Sequence, residues 1–155
     1  METVGKKQSD WTVLWQEERR TLSLQGEPVL DYTLSRPRIQ AGGQGGRRVD
    51  RYYQRLAEVW RRRWDRALYW QSCLDLARCR DLARPFQPWQ ARLEGRVLFQ
   101  DQESLSIRLD AEELHGDGRP LQVRMGDLWS LPKGVPLPVA HCFPGDRRWW
   151  RHLTR

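Results

Sequence analysis

Long hydrophobic runs are missing from this chain of 155 residues. No stretch approaches the roughly 18 consecutive apolar residues of a membrane-spanning helix, so no membrane span is expected. Met1 is followed by Glu2, Lys6 and Lys7 without an apolar segment, and a signal peptide is not expected either. The location these absences imply is cytoplasmic. Cysteine is scarce. Cys73, Cys79 and Cys142 are an odd number, which excludes a disulfide framework. Cys73 and Cys79 are about 600° of helical rotation apart and lie on different faces, so buried free thiols are expected. Histidine is equally sparse. His115, His141 and His152 are scattered, no His or Cys pair has zinc-ligand spacing, and neither a metal nor a cofactor is expected. Gly42-Gly43-Gln44-Gly45-Gly46 lacks the Lys-Ser/Thr of a phosphate-binding loop and reads as a flexible entry loop. Cys142 with His115 as its base has no nucleophile turn to support it. Asp110, Glu112 and Glu113 are a carboxylate group of the kind glycosidases use. Strand alternation turns Asp110 and Glu112 to solvent, and exposed charge accounts for them. No catalytic residue is assigned, and the chain is not expected to be an enzyme.

Lysine is the next shortage. Only Lys6, Lys7 and Lys133 are lysines among 27 basic residues, and the rest are arginine. The net charge is +7, and most of it sits in one place. Residues 44–84 carry eleven Arg against five acidic side chains, while the segments on either side are nearly balanced. A clustered basic face attracts nucleic acid, anionic lipid or an acidic protein. An arginine-rich, GC-biased codon usage produces the same enrichment without any partner. Nine tryptophans and a mean hydropathy of -0.81 describe a polar but packed protein, because disordered chains are poor in aromatics.

The segment Arg47–Arg84, closed by Pro85, has helical spacing. Val49, Tyr53, Leu56, Trp60, Trp64, Ala67 and Leu74 recur at i, i+3/i+4 intervals and predict the buried stripe of one long amphipathic helix. Trp60 and Trp64 are the expected anchors. Asp50 falls in the first turn, where the helix dipole favours an acid, and Asp65 is placed to pair with a neighbouring Arg on the same helix. A break near Ser72 or Cys79 is anticipated.

Around the helix the pattern changes to strands. Trp11–Trp15 and Thr21–Leu24 have strand composition and flank a charged turn or edge, Glu17-Glu18-Arg19-Arg20. Gln25-Gly26-Glu27-Pro28 reads as a turn before a strand from Val29 to Ile39. After the helix, Ala91–Phe99, Leu105–Asp110 and Leu121–Met125 alternate, with a bulge suspected at Gly95 and a last run from Val135 to Phe143. The fold class is therefore α+β, with one long amphipathic helix packed on an antiparallel sheet. A chain of this length fits one domain, residues 1–155, ending in a basic tail over 144–155.

Three short motifs stand in this order: Arg36-Pro37-Arg38-Ile39 before the helix, Leu105-Ser106-Ile107 after it, and Gly126-Asp127-Leu128-Trp129 before the last strand. Over roughly residues 20–143 the pattern resembles the C-terminal domain of RsiV-type anti-sigma factors, a bacterial family that also accompanies deacetylase domains of the PdaC type. Trp129 takes the place of the family's Phe, and Leu114-His115-Gly116-Asp117-Gly118 replaces a Gly-Gly-Ala-His-like loop. The resemblance implies an α+β binding or sensing module. It carries no ligand over, since no contact residue of the family is matched here.

The function expected is a non-enzymatic protein- or ligand-binding module with an unknown protein partner. The alternative is a nucleic-acid-binding protein that uses the Arg-rich helix, residues 47–84, with phosphate contacts from Arg and base stacking by aromatics. Either would use the same candidate surface: Arg48, Arg51, Tyr52, Arg55, Arg62, Arg66, Trp70, Trp149 and Trp150.

Overall fold

The structure, a computed structural model, describes residues 11–40, 43–138, 145, 147 and 148. Trp149, Trp150, His141, Cys142 and the rest of the basic tail lie outside the described residues. The elements run β1 (Thr12–Leu24), β2 (Glu27–Gln40), α1 (Gly43–Arg63), a π-helical turn (Trp64–Leu68), α2 (Tyr69–Asp81), β3 (Trp89–Gln100), β4 (Ser104–Leu114), β5 (Pro120–Ser130) and β6 (Val135–Pro136). The three helical pieces form one helix of 39 residues. The six strands form one sheet in the order β1-β2-β3-β4-β5-β6. This is the expected α+β architecture with one departure: β2 and β3 are parallel over Leu30–Leu34 and Trp89–Leu93. The other neighbours are antiparallel. Parallel neighbours need a crossover connection, and the long helix is that connection.

The charged run Glu17–Arg20 does not interrupt the first strand. It lies in the middle of β1, at the edge of the sheet. The hairpin to β2 turns on Gln25 and Gly26, with φ of 51° and 81°. Positive φ at both central residues is what a two-residue type I′ turn requires. The ladder between β3 and β4 slips between Val97 and Phe99 rather than at Gly95.

The core lies between the helix and one sheet face. Leu30, Tyr32, Leu34, Leu93, Leu105, Ile107, Leu109 and Ala111 are buried there against Val49, Tyr53, Ala57, Trp64, Leu68 and Leu76. Trp64 has no solvent exposure and packs on Trp60 at 5.8 Å between ring centroids. Burial of a side chain this size contributes about 1.5–3 kcal/mol.

The predicted stripe holds through Trp64 and then fails. Ala67 and Leu74 are exposed, and Leu68, Ser72, Cys73 and Leu76 are buried instead. The π turn explains the change. It places an extra residue in one turn and so advances the buried face by one position downstream. The helix also begins before Arg47. Gly45 and Gly46 are buried in α1, and a Cβ on Gly45 would lie 2.9 Å from the Leu131 carbonyl. Both glycines belong to the helix rather than to a flexible loop, and Gly45 makes a close contact. Asp50 is consequently not in the first turn. It accepts a hydrogen bond from the Ile39 amide at 2.9 Å and pairs with Arg36 at 3.6 Å, tying α1 to β2.

The opposite sheet face is a charged lattice. Arg92 pairs with Glu94 and Glu112, Arg108 and Arg124 both pair with Asp110, and Arg19 pairs with Glu17. The Arg124 and Arg108 guanidinium groups hold the Asp110 carboxyl below its ordinary range. No helix among the described residues is long and apolar enough to cross a membrane.

Candidate interaction surface

The helix has two unlike flanks. On the side facing β1 and β2, Asp50, Arg61 and Asp65 each have a mate on a strand. Arg61 donates to Glu18 at 2.6 Å, Asp50 meets Arg36, and Asp65 accepts from Arg20 at 2.9 Å and from the Tyr32 hydroxyl at 2.8 Å. Asp65 thus pairs with β1, not with an Arg of its own helix. Burial and the neighbouring Asp65 push the Tyr32 hydroxyl up to about 12.

The other flank is open. At 100° per residue, Arg48, Tyr52, Arg55, Val59 and Arg62 fall within about 80° of arc, with Arg51 just beside them. Arg48, Arg51, Arg55, Arg62 and Arg66 form no salt bridge with any described residue. Val59, in the middle of this shoulder, is 62% exposed and Tyr52 is 40% exposed. The sequence-derived surface is therefore one contiguous shoulder from Arg48 to Arg62. Arg66 and Trp70 are both exposed and lie within and beyond the π turn. Trp149 and Trp150 lie outside the described residues.

Contacts beside both ends of this shoulder tie the helix to β4 and β5. Near its start, the Tyr53 hydroxyl donates to Asp127 at 3.0 Å and accepts from the Trp129 indole N–H at 2.8 Å. Tyr52 packs edge-on against Trp129 at 5.0 Å. Burial pushes the Asp127 carboxyl up, although Tyr53 and Tyr52 donate to it. Burial likewise raises the Tyr53 hydroxyl. Near its end, Arg63 reaches Glu113, whose cross-strand partner is Leu121 of β5. Between these points the helix-side face of β5 presents Leu121, Val123, Met125 and Asp127, opposite Glu113, Ala111, Leu109 and Ile107. Leu121 is 41% exposed, and Val123 and Met125 are partly buried against the core.

A second polar group sits where α2 meets the β4–β5 loop. Glu113 is only 1% exposed and accepts from Arg63 at 2.6 and 3.0 Å and from the Trp64 indole at 3.1 Å, with His115 Nε2 at 3.3 Å. The His115 ring stacks on Trp89 at 4.6 Å, and the Trp89 indole donates to Asp75 at 2.8 Å. A cleft of about 430 Å³ opens beside them, lined in part by Asp75, Arg78, Cys79, Arg84 and His115. Exposed charge was the expectation for Glu112 and Glu113. It holds for Glu112 but not for Glu113. Alternation begun at Leu105 and carried to residue 113 places that carboxylate inside, and this is the signal that would have found it. No group of three or more His, Cys, Asp or Glu among the described residues is placed to hold a metal ion. Cys73 is buried, Cys79 is partly exposed, and both are free thiols.

Neither a protein-family model nor a curated protein matches the sequence. Solved structures match the fold. A DUF3298-family protein from Bacteroides fragilis superposes with a TM-score of 0.63 and 10% identity, over 86% of this chain and 62% of its own. A DUF3298-family protein from Pseudomonas aeruginosa PAO1 superposes with a TM-score of 0.55 and 13% identity, over 92% of this chain and 62% of its own. At these identities the likeness is one of fold. This chain spans 62% of the length of each.

Proposed function

We propose that this protein is a non-enzymatic binding module that engages an acidic protein surface through the shoulder Arg48–Arg62 and the adjoining face of β5. The observation that carries this reading is the asymmetry of the helix. Asp50, Arg61 and Asp65 are matched by residues of β1 and β2, whereas five arginines on and just beyond the other flank have no partner among the described residues. An unmatched basic row attracts an anionic partner and speeds the encounter. Protein is favoured over nucleic acid by what lies between the arginines. Val59 and Leu121 are exposed aliphatic groups, and Asp127 is an acid on the same surface. A phosphate-tracking groove has no use for either. The sequence resemblance to RsiV-type domains, read as binding or sensing modules, supports the same view.

The test is binding to mixed-sequence DNA and RNA at about 50 and about 200 mM salt. No binding at either salt is expected. Tight binding that collapses at the higher salt would replace this reading with the nucleic-acid one.

A further inference from the structure

We infer that the α2 end of the helix is a membrane-surface contact, which sets Trp70 and Leu74 into the headgroup boundary of an anionic lipid bilayer. The inference goes beyond the proposed function. The shoulder ends at Arg62, and this patch begins one turn later and takes a different kind of partner.

Ala67, Trp70, Leu74 and Ala77 are all exposed. At 100° per residue they fall within about 80° of arc, opposite the buried Leu68, Ser72 and Leu76. They form an apolar ridge along the outside of the helix. The π turn puts them there. In an unbroken α-helix Leu74 would continue the stripe of Tyr53, Trp60 and Trp64 into the core. Trp70 is 64% exposed, the highest of the described tryptophans, and Leu74, one turn on, is 51% exposed. Trp64, Trp89 and Trp129 each donate the indole N–H inside the fold. Trp70 makes no hydrogen bond or ring contact with a described residue.

The charge beside the ridge has one sign. Arg66 and Arg78 are both exposed, and neither forms a salt bridge with a described residue. Asp65 and Asp75, the acids nearest the ridge on the helix, are turned to Arg20 and to the Trp89 indole. Asp81 closes the ridge at its far end.

Size and chemistry select the occupant. A strip of four residues is about 15 Å long and one side chain wide. A stable protein interface takes roughly 800 Å² a side, which a convex ridge of this size does not offer. A bilayer asks for less: an amphipathic ring at the boundary of headgroups and acyl chains, and guanidinium groups that reach back to the phosphates. Trp70 and Leu74 supply the first, and Arg66 and Arg78 the second. Anionic lipid is the matching composition, because both cations lack a counter-charge among the described residues. The ridge also stands clear of the last strands, since the β5–β6 turn lies against Gly45, about 40 Å of helical rise from Leu74.

The probe is vesicles of phosphatidylcholine, pure or with about 30% phosphatidylserine, at about 50 and about 200 mM salt. Co-sedimentation measures binding, and quenching of tryptophan fluorescence by lipid brominated on its acyl chain measures insertion. The protein is expected to bind the anionic vesicles at the lower salt, to leave the neutral ones unbound, and to be quenched in part. Trp70→Ala/Leu74→Ala keeps the net charge and should weaken binding about tenfold or more and remove the quenching. Arg66→Gln/Arg78→Gln should weaken binding to the anionic vesicles by about tenfold. Both pairs are exposed, and circular dichroism checks that each variant keeps the helix. Equal binding by the wild type and Trp70→Ala/Leu74→Ala would mean charge adhesion alone and overturns the inference. Absence of quenching, or of vesicle binding, overturns it too. Binding of mixed-sequence DNA that Trp70→Ala abolishes, without vesicle binding, would give the ridge to base stacking instead.

Discussion

Removing Arg63 tests what keeps a carboxylate inside this protein. Glu113 is 1% exposed and has four hydrogen-bond contacts, two of them from Arg63. Arg63→Met leaves the charge with Trp64 and His115 alone. Deleting one partner of a fully buried ion pair costs about 3–5 kcal/mol. The Arg63 side chain is 42% exposed, so water already competes for its charge and the loss is smaller. We expect about 2–3 kcal/mol, or roughly 5–10 °C in Tm for a domain of this length. Adding Glu113→Gln to Arg63→Met should restore part of that loss, because a neutral amide needs no counter-charge. The pH dependence follows from the carboxyl itself. Burial pushes Glu113 up, but the bonds from Arg63, His115 and Trp64 outweigh it and hold the group below its ordinary value of 4.5. A depressed folded pKa stabilises above the unfolded value, and that stabilisation is lost as pH falls through the folded value. The stability gap between the wild type and Glu113→Gln should therefore be complete near pH ~7 and close below pH ~4. Urea and thermal denaturation across that range measure it. A loss under about 0.5 kcal/mol for Arg63→Met, or a double variant less stable than Arg63→Met alone, would refute the reasoning.

Three further outcomes are expected. Tyr53→Phe removes the acceptor of the Trp129 indole and a donor to Asp127, and should cost about 1–3 kcal/mol in chemical denaturation. Gly134→Ala should cost more than about 1 kcal/mol, since Gly134 has φ of +61° and a Cβ there would overlap Gly45. Gly126→Ala, in open space, should be neutral or mildly stabilising in the same thermal assay. Deleting exposed Ala67 from the π turn should convert it to α-helix and keep Trp64 and Leu68 buried, whereas deleting exposed Arg55 rotates the rest of the helix by about 100°. Circular dichroism and Tm should show a folded protein in the first case and a severely destabilised one in the second.

Much of the architecture could be read from local periodicity. The helix announced itself through Val49, Tyr53 and Trp64, and β4 through Leu105, Ile107 and Leu109. What escaped was information that periodicity does not contain. A π turn has no residue signature in Trp64-Asp65-Arg66-Ala67-Leu68, so the stripe was carried straight on to Ala67 and Leu74. The parallel pairing of Leu30 with Trp89 depends on where a crossover lands, which is a property of the assembled sheet. Gly45 and Gly46 read as a loop because their burial, and the tight contact of Gly45 with the β5–β6 turn, are tertiary. On the candidate surface, exposure of the Arg and Tyr positions from 48 to 62 was legible from the helical wheel. Which of the arginines find mates was not. Arg61 and Arg63 sit beside Arg62 in sequence, yet only those two reach a carboxylate, on opposite strands of the sheet.

The ion-pair lattice on the outer sheet face has a consequence for how this molecule meets others. Arg19, Arg92, Arg108 and Arg124 are balanced there by Glu17, Glu94, Glu112 and Asp110, so that face projects little field. The unbalanced arginines of the described structure are concentrated on the helical layer, and the described residues are in effect an electric dipole with its positive pole on that side. In solution such a body is turned by a distant negative surface before it touches it. The helix would then arrive first, and the fold orients its own approach.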